Sequence, residues 1–156
     1  MPYPVEEKLV VAVASSALFD LSESGQIFKD KGLAVYRQYQ REHERNPLLP
    51  GIAFPFVRRL LSLNANAAVP SVEVVLLSHN DPDTGLRVFH SIRHHNLNIS
   101  RGAFLTGKSP HAYIDSFNAS LFLSANSKNV REAVEGVFQP DWSSGNRLRT
   151  IWTIWN

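Results

Sequence analysis

Four polar segments, each directly following an apolar run, carry the side chains best suited to chemistry: Ser15-Ser16, Ser78-His79-Asn80, Gly107-Lys108-Ser109 and Ser124-Ala125-Asn126. They offer hydroxyls, amides and one lysine, with backbone N–H groups where helices are expected to begin. Such groups suit an anion, a phosphate above all, because a helix start presents unpaired donors and a partial positive charge. Lys108 adds a full charge. Serine and asparagine are also what ordinary turns and caps require, so residue type alone leaves both readings open.

Phosphoryl chemistry needs more: a nucleophile and, as a rule, Mg²⁺ held by carboxylates. The first strand end reads Ala14-Ser15-Ser16 and has no acid; Asp20 follows only in the loop or at the next helix start. Asp81 and Asp83 read as turn or cap residues, and Asn126 stands where a metal-binding acid would be useful. A carboxylate cluster cannot be assembled from these strand ends, so no catalytic residue and no metal ligand is assigned. Among the histidines, His94 and His95 are helical neighbours and face different ways. His43, in Glu42-His43-Glu44, is expected on a solvated surface, and only His79 stands at a strand end. Gly102 and Lys108 have nearly the spacing of a phosphate loop, but Phe104 and Leu105 between them mark a strand.

The elements that position these loops follow from periodicity. Continuous apolar runs at 9–14 and 72–77, rich in β-branched residues, predict strands buried on both faces, with further strands at 103–106 and 119–123. Helices are predicted over 22–44, divided at Gly32, and over 54–63, where Phe56, Val57, Leu60 and Leu61 fall at helical spacing. Others are predicted over 84–95, with Leu86, Phe89 and Ile92 on one face, and over 111–117 and 127–136. Alternating strands and helices of this kind predict an α/β fold, a doubly wound and mostly parallel sheet with helices on both faces in three layers. In such sheets ligands sit beyond the carboxyl ends of the strands, where the four polar segments lie.

Composition bounds the rest. A chain of 156 residues is one domain and buries roughly 70% of its unfolded surface. With no cysteine, neither a disulfide framework nor a thiolate metal site can form, which agrees with a reducing, cytoplasmic setting. No apolar stretch approaches the ~20 residues of a membrane span, and Glu6-Glu7-Lys8 ahead of the first apolar run is not the order of a signal peptide. A net charge of +2, with basic residues scattered and only Arg58-Arg59 adjacent, gives no footprint for nucleic acid.

The chain resembles the cytosolic type-I 5′-nucleotidases. The resemblance rests on Ala14-Ser15-Ser16-Ala17-Leu18-Phe19-Asp20, Tyr36-Arg37-Gln38-Tyr39-Gln40 and Pro50-Gly51-Ile52-Ala53-Phe54-Pro55-Phe56-Val57. It continues through Val75-Leu76-Leu77-Ser78-His79-Asn80, Gly85-Leu86-Arg87 with Ser91-Ile92, Leu105-Thr106-Gly107-Lys108-Ser109-Pro110, Leu121-Phe122-Leu123-Ser124-Ala125 and Val130-Arg131-Glu132-Ala133. It implies a haloacid-dehalogenase-like fold and a phosphohydrolase of nucleoside monophosphates, typically AMP, that uses Mg²⁺. In that family the catalytic aspartate pair lies in the second half of a longer chain, and the first half looks like a degenerate copy. On that reading Ser15 and Ser16 occupy the place of the nucleophile loop, Ser78 that of the phosphate-binding hydroxyl, with His79 and Asn80 beside it, and Lys108 that of the phosphate-orienting lysine. The catalytic half would then be supplied in cis or by another chain.

Residues 1–138 are accordingly expected to form the N-terminal α/β domain, and 139–156 a divergent tail, frame-shifted or truncated. Thr150-Ile151-Trp152-Thr153 stands where the family's acidic motif is expected. If Ile151 is encoded ATT and Thr150 ends in G, a shifted frame spells Asp-Leu-Asp there. The apolar Ile151, Trp152, Ile154 and Trp155 favour self-association as a homo-oligomer.

Overall fold

The run Leu9–Val13 becomes β1, the centre of a parallel sheet, because both of its faces find apolar partners. A computed structural model describes residues 8–128, 131 and 150–153. After β1 come α1 (Ser15–Leu18), α2 (Ser22–Glu42), α3 (Phe54–Ser62), β2 (Val72–Ser78), α4 (Pro82–His94), β3 (Gly102–Phe104), α5 (His111–Ile114), β4 (Leu121–Ser124) and β5 (Thr150–Thr153). The strand order is β3-β2-β1-β4-β5, and every pairing is parallel. The expected doubly wound α/β sheet is therefore what forms.

The strand residues divide by parity between two cores. Val11, Val13, Val74, Leu76 and Leu123 pack with Phe19, Val57, Val88 and Ile92 on the side of α1, α3 and α4. Val10, Ala12, Val75, Leu77 and Phe122 pack with Ile114 and Ala119 on the side of α5. This explains why the strands read as unbroken apolar runs. Each fully buried Val or Leu contributes about 1.5–3 kcal/mol relative to exposure.

Several expectations are corrected. The third strand spans Gly102–Phe104, not 103–106, because Thr106 and Gly107 turn into left-handed conformations at φ 45 and 80. The helix expected at 111–117 is a single turn, His111–Ile114, and the fourth strand starts at Leu121 rather than 119. On α4 the buried face is Thr84, Gly85, Val88, Ser91 and Ile92, with Leu86 52% exposed. Gly85 explains the rotated face: a Cβ there would stand 2.8 Å from the Phe104 ring, so the ring packs where a side chain would otherwise be. On α3, similarly, Phe54 and Val57 are buried and Phe56 is exposed. The helix expected at 127–136 lies largely outside the described residues, and β5 was not anticipated.

The expected break at Gly32 is present, at φ 82 and ψ 179, a region that only glycine occupies readily. Beyond it, α2 is pinned to α4: Tyr36 Oη lies 2.6 Å from Thr84 Oγ1, Arg37 Nε donates to Asp81 at 2.7 Å, and Arg87 donates to Gln40 Oε1 at 3.2 Å. Before it, residues 26 and 28–31 are exposed. Amides of 26–31 should therefore exchange with solvent faster than those of 34–42. Equal protection, measured by hydrogen exchange, would contradict this division.

Residues 20–49 leave the sheet and return at one point. The antiparallel bridge Phe19↔Pro50 closes their base, with Asp20 N–H donating to the Leu49 carbonyl at 2.9 Å and Gly51 N–H to the Leu18 carbonyl at 2.9 Å. This clasp fixes α1, and α1 begins with Ser15.

Candidate functional site

The parallel register Val13↔Leu76, continued two residues, brings Ser15 level with Ser78 beyond the ends of β1 and β2. Their hydroxyl oxygens are 2.7 Å apart. Asn80 closes the group: its Nδ2 donates to Ser15 Oγ at 3.1 Å, and its backbone N–H donates to Ser78 Oγ at 3.2 Å. Ser15 is 2% exposed and Ser78 is fully buried. On the other flank of β1, Ser124 at the end of β4 is also fully buried and repeats the same turn, accepting from the Asn126 backbone N–H at 3.1 Å.

The chemistry of this cluster follows from its members. Neither a serine hydroxyl nor a carboxamide takes up a proton near neutral pH, so Ser15 has no general base among these partners and is not activated as a nucleophile. What the cluster offers is neutral donors and acceptors, with Ser15, Ser78 and Asn80 bonded to one another.

The loop bearing Asn80 is held from outside the sheet. Asp81 caps α4, accepting from Thr84 N–H at 3.2 Å, and pairs with Arg37 Nε at 2.7 Å. Next along, Asp83 pairs with Arg41 at 3.0 Å. Burial would raise the Asp81 carboxyl, but hydrogen bonds from Arg37 and Thr84, with the Arg37 charge, outweigh it and hold the group below the usual carboxylate range. On the other side, Leu105 N–H donates to the Ser78 carbonyl and Gly107 N–H to the His79 carbonyl, each at 2.8 Å. Thr106 at φ 45 is a strained conformation for a β-branched residue. It makes the Gly107 contact and carries the chain to Lys108.

Of the residues singled out by sequence, Ser15, Ser78 and Asn80 are thus brought together. Ser16 is exposed on α1, His79 is half-buried within the loop, and Lys108 is exposed on the adjoining turn. Asp81 and Asp83 act as cap and first-turn residues, as their positions suggested. Asp20 accepts from Ser22 N–H at 2.9 Å, and Ser22's hydroxyl and N–H hold its carboxyl below the ordinary range. Among the described residues, no group of three or more His, Asp or Glu comes together. His94 is exposed, while His95 stacks on Phe19 at 5.7 Å and bonds the Leu48 carbonyl at 2.9 Å. His43 is a correction: it is half-buried, its ring stacked on Tyr39 at 4.1 Å, because the aromatic face four residues earlier shelters it.

Residue type and spacing alone give no role to Arg37 or Thr106. Arg37 could have been suspected from its place opposite an Asp–Pro helix start; a strained Thr106 leaves no trace in residue type.

Comparison with known proteins gives a consistent picture. A family model described as 5′-nucleotidase matches residues 1–140. Human cytosolic 5′-nucleotidase 1B is 32% identical over 142 residues, covering 86% of this chain and 23% of that protein. The chain therefore spans less than a quarter of the length of this relative. The HAD domain of effector protein Lem4 from Legionella pneumophila superposes with a TM-score of 0.52 at 14% identity, covering 94% of this chain and 85% of that one. That likeness is one of fold: both are α/β and HAD-like.

Proposed function

The chain belongs to the 5′-nucleotidase family, and from that premise we propose that it is the non-catalytic half of an enzyme hydrolysing nucleoside monophosphates, typically AMP, with Mg²⁺. The observation that carries this reading is Ser15: a buried hydroxyl bonded to Ser78 and Asn80 stands at the central strand end, where an activated nucleophile would be needed. In this proposal residues 1–138 are the substrate-side domain and 139–156 a divergent tail that lends Thr150–Thr153 to the same sheet as β5 and whose codons reveal any frame shift. The catalytic half comes in cis or from another chain, and the setting is cytoplasmic.

Ser16, His79 and Lys108 are the accessible phosphate contacts in this reading; Ser15, Ser78 and Asn80 shape the floor beneath them. AMP titrated into the purified chain should bind weakly and saturably, and Lys108→Ala should weaken it about tenfold, the equivalent of ~1.4 kcal/mol. Identical titrations for both proteins would remove Lys108 from the site. A second reading, a partner-binding module without nucleotide, is favoured by exposed apolar residues on and flanking α3: Phe56 on the helix, Ile52 before it and Leu63 after it, all over 40% exposed.

A further inference from the structure

We propose that the strand-end cluster takes a phosphate or nucleoside monophosphate without a divalent cation, an inference that rests on the phosphate-binding reading above. Mg²⁺ surrenders its water reluctantly, and protein sites usually hold it through one or two carboxylates together with phosphate oxygens. The donor set at the ends of β1, β2 and β4 does not meet that need. Ser15, Ser78, Asn80, Ser124 and Asn126 are all neutral, and Lys108 brings a positive charge that a cation would have to approach.

Among the described residues, the acids nearest in sequence to the Ser15 and Ser78 loops are already engaged. Asp81 is 7% exposed, accepts from Thr84 and is paired with Arg37, and Asp83 is paired with Arg41. Turning Asp81 toward a metal would uncap α4 and break its 2.7 Å bond from Arg37. Asp20 is spent on the start of α2. Glu73 lies near the start of β2, away from the site's end of the strand, and pairs with Arg101. Glu44 pairs with His90, and Asp30 and Glu42 accept from glutamines one turn earlier in α2. A phosphate dianion, in contrast, matches what is present: the ammonium of Lys108 with neutral hydroxyl and amide donors. The Mg²⁺ implied by the family is therefore held by residues outside this cluster, and the anion reaches the cluster uncomplexed.

Calorimetric titration of the intact chain with AMP, in EDTA and then in Mg²⁺, tests this, together with Mn²⁺ paramagnetic resonance of the chain alone. The expected result is an affinity that changes by less than about two-fold with Mg²⁺, which is under ~0.5 kcal/mol, and a Mn²⁺ signal that remains that of the free ion. Binding that strengthens tenfold or so in Mg²⁺, or Mn²⁺ immobilised at one site per chain, would overturn the inference while leaving phosphate binding intact. Failure to saturate in either buffer would overturn the phosphate-binding reading itself, and this inference with it.

Discussion

Replacing Gly51 with alanine should cost about 3 kcal/mol of stability, at the upper end for overpacking a tight site. A Cβ at this position would lie 2.6 Å from the Ala17 carbonyl oxygen, 2.8 Å from the Phe19 nitrogen and 2.9 Å from the Leu18 carbonyl carbon. All three are backbone atoms, so no side chain can swing aside. The same residue donates its N–H to the Leu18 carbonyl, so backing away breaks the clasp that fixes α1 beneath Ser15. At this chain length the loss corresponds to a fall in Tm of roughly 6–12 °C. Ile52→Ala, at a neighbouring exposed position, should shift Tm by no more than ~2 °C. Thermal unfolding of the pair checks the claim, which fails if Gly51→Ala melts alongside Ile52→Ala.

Asp81→Ala removes an N-cap and an ion pair in one step and should cost about 2 kcal/mol: ~1 for the cap, and a similar amount for the Arg37 bond, discounted because Arg37 is 39% exposed. Asp81→Asn keeps an acceptor for Thr84 N–H and should lose about half as much. The pH dependence has a definite sign. The folded-state carboxyl titrates below its unfolded value near 3.9, because Arg37 and Thr84 favour the charged form. Its contribution is therefore complete above that value and is lost as pH falls through the lower, folded one. Wild type and Asp81→Asn should converge in stability on acidification below about pH 4. Denaturant melts at neutral and acidic pH would contradict this if the gap stayed constant. Because Asp81 adjoins Asn80, the same variants should loosen the bond from Asn80 to Ser15.

How much of this was legible in the sequence varies by element. β1 and β2 were read closely because both of their faces are buried, which leaves an unbroken apolar run. α2's division was legible because Gly32 is the residue that can turn there. β3 was misplaced because an edge strand of three residues has too little pattern to set its ends. The buried face of α4 was misjudged because it depends on Phe104 arriving from elsewhere to fill the space over Gly85. At the site, residue types put Ser15 and Ser78 at strand ends, but their pairing across 63 positions comes from the parallel register. Residue type did not say that the two hydroxyls would bond each other and bury themselves. β5 is hard to read because four residues, Thr150-Ile151-Trp152-Thr153, carry a β-branched pattern too short to mark a strand by itself.

The proposal stands or falls on whether this chain carries chemistry of its own: Ser15 is buried, and neither Ser78 nor Asn80, to which it is bonded, can take its proton. Release of phosphate from AMP by the purified chain in Mg²⁺ measures this directly. The expected result is no turnover above the uncatalysed background, unchanged in Ser15→Ala. Clear Mg²⁺-dependent turnover that is lost in Ser15→Ala or Lys108→Ala would contradict it, and would make the strand-end serines a working active site.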